Sequence, residues 1–146
     1  MIRLALMFSR FSSRERAAVI EAGLSLLAVW LSFIFLSFPR ALRLLRAVQN
    51  DARVGRVSAT EAGDVSRAVA RAARHVPFRA VCLQQAFAAS LMLRRRGLAA
   101  SVHLGLARGK ISANGLKAHA WCYCGEVPVT GDNIAPAFQQ IASFTV

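Results

Sequence analysis

At Gly97 the hydrophobic period of this chain changes from that of a helix to that of a strand. Before it, Val65, Ala68, Val69, Ala72 and Ala73 recur at helical spacing, with Arg67, Arg71 and Arg74 on the opposite side. After it, Val102, Leu104 and Leu106 alternate with Ser101, His103 and Gly105. Helices come first and strands joined by turns follow, an order that builds an α+β fold. The expected fold class is therefore α+β: N-terminal helices followed by a small antiparallel sheet.

Boundary signals divide the helical part. Ser12 and Glu15 fit a capping box at the start of a long helix. From Ala22 to Phe38 there are 17 residues without a charge, about 25 Å of helix at ~1.5 Å per residue. That length sits at the lower edge of a membrane span. Arginines flank both ends (Arg14 and Arg16; Arg40, Arg43 and Arg46), so the positive-inside rule gives no orientation. Serines at 25, 32 and 37 interrupt the run and favour a buried or surface-docked helix. Pro39 ends or kinks it, and Arg40 to Val48 reads as a short amphipathic helix. Gln49 to Val57 is a polar connector, which divides the chain into an N-terminal helical segment, 1–57, packed on a core, 58–146, within one compact domain. Ser58 and Glu61 repeat the capping pattern, and Pro77 closes that helix. A further helix runs from Cys82 to about Arg96, with Gly97 as its C-cap and Arg94, Arg95 and Arg96 complementing the negative end of its dipole. Strands follow at Ala100–Leu106, Lys117–Cys124 and Val127–Thr130, with a polar loop from Arg108 to Gly115. The tail from Ile134 reads as a short helix, then an edge strand.

Composition restricts the partners. A 55% hydrophobic fraction over 146 residues supports one domain with a real core. The net charge of +12 comes with 17 arginines, which suits a solvated basic surface or an anionic partner such as an anionic membrane leaflet. No aromatic-basic interleaving marks a nucleic-acid binder, so no nucleic acid is expected. Three cysteines, an odd number, and no signal-peptide pattern point to reduced thiols in the cytoplasm, with peripheral membrane contact open. Two cysteines without a second pair make no zinc site, and neither metal nor cofactor is expected.

Two residues carry the chemistry. Cys82 stands where a loop feeds a helix, and a thiol at a helix N-terminus meets the positive end of the dipole, which favours thiolate. His119 stands in the second strand and supplies a base for that thiol. A Cys–His pair needs a third group to fix the imidazole. From residue 66 onward the only carboxylates are Glu126 and Asp132. Asp132, just past the hairpin, is the favoured orienter; Glu126, at the turn, and Asn133 are the alternatives. Strand alternation puts His119, Trp121 and Tyr123 on one face, which is expected to meet the start of the Cys82 helix. Cys122 and Cys124 then point away as packing residues. His103 is expected to be structural or exposed.

Pro77, Cys82-Leu83, Leu93-Arg94-Arg95-Arg96-Gly97-Leu98, Val102-His103-Leu104-Gly105 and Ala118-His119-Ala120-Trp121 together resemble the lasso peptide biosynthesis B proteins. The resemblance covers about residues 58 to 132. It implies a transglutaminase-like, papain-related core whose nucleophile, Cys82, opens a helix, with His119 as base. It also implies an acid about a dozen residues past the histidine; position 131 here is Gly, and Asp132 is one step beyond. The family members are cysteine peptidases that cut the leader from a ribosomally made precursor peptide before an ATP-dependent cyclase closes the ring. A chain of this size matches the split form, so the implied partners are the precursor, a separate leader-recognition protein and the lasso cyclase. No glutamine precedes Cys82 at the papain-type spacing, which leaves the backbone N–H of Cys82 as an oxyanion donor. Two other readings stand beside this one: a membrane-associated scaffold without enzymatic activity, built on Ala22–Phe38, and an acyltransferase on the same fold.

Overall fold

The structure, a computed structural model, describes residues 11–47, 55–108 and 117–145. Four helices precede four strands: α1 (Ser13–Phe35), α2 (Phe38–Ala47), α3 (Ala59–Ala72), α4 (Cys82–Arg95), β1 (Ser101–Ala107), β2 (Ala118–Cys124), β3 (Val127–Thr130) and β4 (Phe138–Thr145). A 3-10 turn, Asp132–Ala137, joins the last two strands. The α+β expectation is met, including the short helix and edge strand at the tail. All but Arg108 of the Arg108–Gly115 loop, and most of the Gln49–Val57 connector, lie outside the described residues.

Local chemistry sets the helix ends. At Ser12 the capping box closes in both directions: Glu15 N–H donates to Ser12 Oγ at 3.2 Å, and Ser12 N–H donates to Glu15 Oε2 at 3.0 Å. The chain leaves α1 at Leu36, in extended conformation, three residues before the Pro39 stop that the sequence suggested. Pro39 instead occupies the first turn of α2, where a missing N–H costs nothing. Ser58 caps α3 by accepting from Glu61 N–H at 3.3 Å. At the end of α4, Gly97 N–H donates to Arg94 O at 2.9 Å and Leu98 N–H to Leu93 O at 3.0 Å, the paired bonds of a Schellman cap.

Arg96 does more than complement a dipole. Its guanidinium forks onto Glu21 of α1, Nη1 to Oε1 at 3.0 Å and Nη2 to Oε2 at 2.7 Å, while Nη1 also donates to Met92 O at 2.8 Å. This bidentate pair ties α1 to the C-terminal end of α4.

One core serves all the helices and one face of the sheet. Leu26 and Val29 of α1, Val65 and Val69 of α3, and Phe87, Met92 and Leu93 of α4 are fully buried in it. Each such side chain contributes roughly 1.5–3 kcal/mol on leaving water. Phe87 stands edge-on to Phe33 of α1, centroids 5.9 Å apart, and tilted against Phe144 of β4 at 6.4 Å. α1 is long and apolar enough to cross a membrane, with a mean hydropathy of 2.1 and 17% of that window buried. Its inner side nevertheless belongs to this core.

The strand order is β3-β2-β1-β4, antiparallel throughout, with His103 opposite Trp121 and Gly105 opposite His119. Val102, Ala120, Cys122 and Cys124 join the core with α4. This reverses the sheet-face expectation. α4 packs on the Cys122 and Cys124 side, and the face carrying His119, Trp121 and Tyr123 is the other one. The sequence could not separate the faces, because β2 is apolar on both.

Candidate active site

Cys82 is the first residue of α4, half-buried against the core. Two glutamines of the first turn hold the chain that enters it. Gln84 Oε1 accepts from Val81 N–H at 3.0 Å, and Gln85 Nε2 donates to Ala80 O at 2.8 Å. The Gln84 bond is half a capping box, which the sequence shows as glutamine three places past the cap. The next N–H groups of the turn have no intrahelical acceptor and point out of the helix end, as donors for an anion beside the thiol.

His119 is the second residue of β2 and only 8% exposed. Its Nε2 lies 2.8 Å from Gly131 O. A carbonyl oxygen only accepts, so Nε2 carries a hydrogen, and in the neutral ring Nδ1 is the nitrogen with the free lone pair. The ring is walled by Phe138, centroids 5.0 Å apart, and by Trp121, at 5.8 Å and 23°. Trp121 lies over Gly105, where an added Cβ would stand 2.9 Å from its ring. His103 continues this face. It stacks on Trp121 at 5.9 Å and bonds Ser101 Oγ and Gln140 Oε1, each at 3.0 Å. It is thus structural, as expected.

Gly131 reaches the ring because of its backbone. Its φ is +72°, and a Cβ there would sit 2.7 Å from Ala120 O and 2.9 Å from His119 Nε2. Only glycine fits both conditions.

Asp132 takes a different partner from the one expected of it. Its Oδ1 accepts a short hydrogen bond from the Tyr123 hydroxyl. That bond, helped by burial and by the nearby negative charge, raises the pKa of the Tyr123 phenol. The atom on the His119 ring is the carbonyl oxygen one residue earlier. Glu126 is exposed at the hairpin turn, and Asn133 is exposed in the 3-10 turn. Cys122 is fully buried, and burial, then its neighbour Cys124, push its thiol up to about 12. Cys82 is the half-exposed thiol of the three. Among the described residues, no three His, Cys, Asp or Glu side chains gather as ligands for a metal ion.

Cys82 opens α4, which packs on the face of β2 carrying Ala120, Cys122 and Cys124, whereas His119 stands on the other face of that strand. Among the described residues no hydrogen bond joins them. Sequence reasoning missed Gly131 and the two glutamines. The scarcity of carboxylates was the available signal, and a main-chain acceptor answers it as well as a side chain does.

A family model described as the transglutaminase-like superfamily matches residues 25–143. Neither the curated proteins nor the solved structures contain a match to the chain.

Proposed function

Since this chain belongs to the transglutaminase-like superfamily, which includes cysteine peptidases, we propose that it is a cysteine peptidase, and that its substrate is the leader junction of a lasso peptide precursor. The observation that carries the peptidase reading is the His119–Gly131 bond. It supports an imidazole fixed in the tautomer whose free Nδ1 can accept a proton. In the proposed cycle that nitrogen takes the Cys82 proton, a transfer that requires the His119 ring to come round to the α4 side of β2. The thiolate sulfur attacks the scissile carbonyl carbon, and N–H groups at the start of α4 stabilise the oxyanion. The C–N bond breaks as the imidazolium returns its proton to the leaving amine. Water, deprotonated by Nδ1, then hydrolyses the thioester and frees the thiol. Gly131 O orients the ring; Asp132, through Tyr123, holds the segment that presents Gly131.

The lasso assignment rests on the sequence resemblance. It brings with it a separate leader-recognition protein that delivers the precursor and a cyclase that consumes the freed core peptide, both in the cytoplasm. The test is mass spectrometry of precursor, leader-binding protein and enzyme. Wild type should give leader and core as separate masses, and Cys82→Ala should give intact precursor. Comparable cleavage by Cys82→Ala would overturn the peptidase reading. Cleavage of unrelated peptides without the leader-binding protein would overturn the lasso assignment.

A further inference from the structure

The side of α1 turned away from the core is an apolar stripe. Ile20, Leu24, Leu27, Leu31, Ile34 and Phe35 recur at three- and four-residue spacing and are 57, 63, 37, 37, 53 and 77% exposed. Phe38, 40% exposed, continues it into α2. Cations frame the stripe. Arg16 is exposed one turn before Ile20 on the same face, Arg40 and Arg43 are exposed at the far end, and Arg79 is exposed beside Phe78 along its flank. Among the described residues none of these four has a carboxylate partner. The carboxylates of α1 face elsewhere: Glu15 meets Arg71 at 3.8 Å, and Glu21 is held by Arg96. An apolar strip framed by unpaired arginines and free of acids is complementary to a surface with acyl chains beneath and anions on top.

The geometry points to an anionic lipid bilayer surface as the occupant, with α1 lying in the interface plane. The opposite side of the helix decides against a span. Ala22, Leu26 and Val29 are completely buried, and Trp30 stacks on Phe78 at 4.7 Å, so crossing the bilayer would strip the domain of its core. The groove of about 360 Å³ between α1 and the His75–Phe78 turn opens on this same side. His75 and Arg79 therefore approach the headgroups together with the leucines. This surface is independent of the peptidase reading.

The test is flotation of the full chain with phosphatidylcholine vesicles, with and without phosphatidylglycerol. Wild type should float with the phosphatidylglycerol vesicles and be released by high salt and by alkaline carbonate. Leu24→Glu/Leu31→Glu, at exposed positions, should lose at least about tenfold in binding with an unchanged circular dichroism spectrum. A triple change, Arg16→Gln/Arg40→Gln/Arg43→Gln, leaves the stripe intact and should lose roughly fivefold per arginine. Equal flotation with and without the anionic lipid would overturn the inference, as would folded variants that bind like wild type. Carbonate-resistant retention would mean a span. Dimerisation sensitive to the leucine changes, without vesicle binding, would mean that a second copy covers the face. Either result overturns it.

Discussion

Gly131 serves two needs at one position: a left-handed backbone at the entry to the 3-10 turn, and an oxygen within reach of His119. Gly131→Ala should therefore cost about 1–3 kcal/mol of stability through strain at positive φ. Displacement of the imidazole should cost more than that implies, on the order of a hundredfold in kcat/KM. A thermal melt and a cleavage assay on the same protein check both. Asp132→Ala and Tyr123→Phe make a matched pair. Each removes one partner of the same bond, so each should give the same modest loss in cleavage rate, and the double variant should lose no more than either alone. Full loss with Asp132→Ala alone would show that the carboxylate acts on the ring directly. Cys82 and His119 stand out in the sequence as candidates because their side chains are chemically distinctive. The acceptor on the His119 ring does not, because a backbone carbonyl has no letter of its own.

At the scale of elements, what is written locally was readable and what is written across the chain was not. Both Ser-Glu caps and the end of α4 at Gly97 rest on bonds spanning three to five residues. The Glu21–Arg96 fork joins residues 75 apart, and nothing in either neighbourhood announces it. Both side chains are mostly shielded, at 20% and 27% exposed. Glu21→Ala should cost about 2 kcal/mol, read from the midpoint of a urea unfolding curve. Arg96→Lys should recover only part of that, because an ammonium cannot form the fork. Loss of less than ~0.5 kcal/mol would place the pair with ordinary surface ion pairs. The inner face of the sheet was hidden for a related reason: choosing between Trp121 and Cys122 as the buried side needs knowledge of where α4 lies.

Across the whole molecule, burial couples folding to alkaline pH. The Cys122 thiol ionises near 9.0 when unfolded but at about 12 in the fold, because burial penalises the thiolate. A raised value stabilises the fold fully below the unfolded one and is lost as pH climbs toward the folded one. The Tyr123 phenol is shifted in the same direction. The melting temperature should hold up to about pH 9.0 and then fall progressively toward 12, and Cys122→Ala should flatten that decline. An unchanged slope in the variant would remove this thiol from the account.

The two faces of β2 have a further consequence for how faithfully this chain must fold. Side chains alternate with a period of two, so pairing β2 one residue out of step would exchange its faces wholesale. His119 and Tyr123 would turn toward α4, and Cys122 and Cys124 toward the site. Such a misaligned sheet would bury imidazole and phenol among Phe87 and Val102, and would leave two thiols on the face that carries Tyr123 and its Asp132 partner. The alignment that keeps polar groups out of the core is thus also the one that leaves His119 on the Gly131 carbonyl.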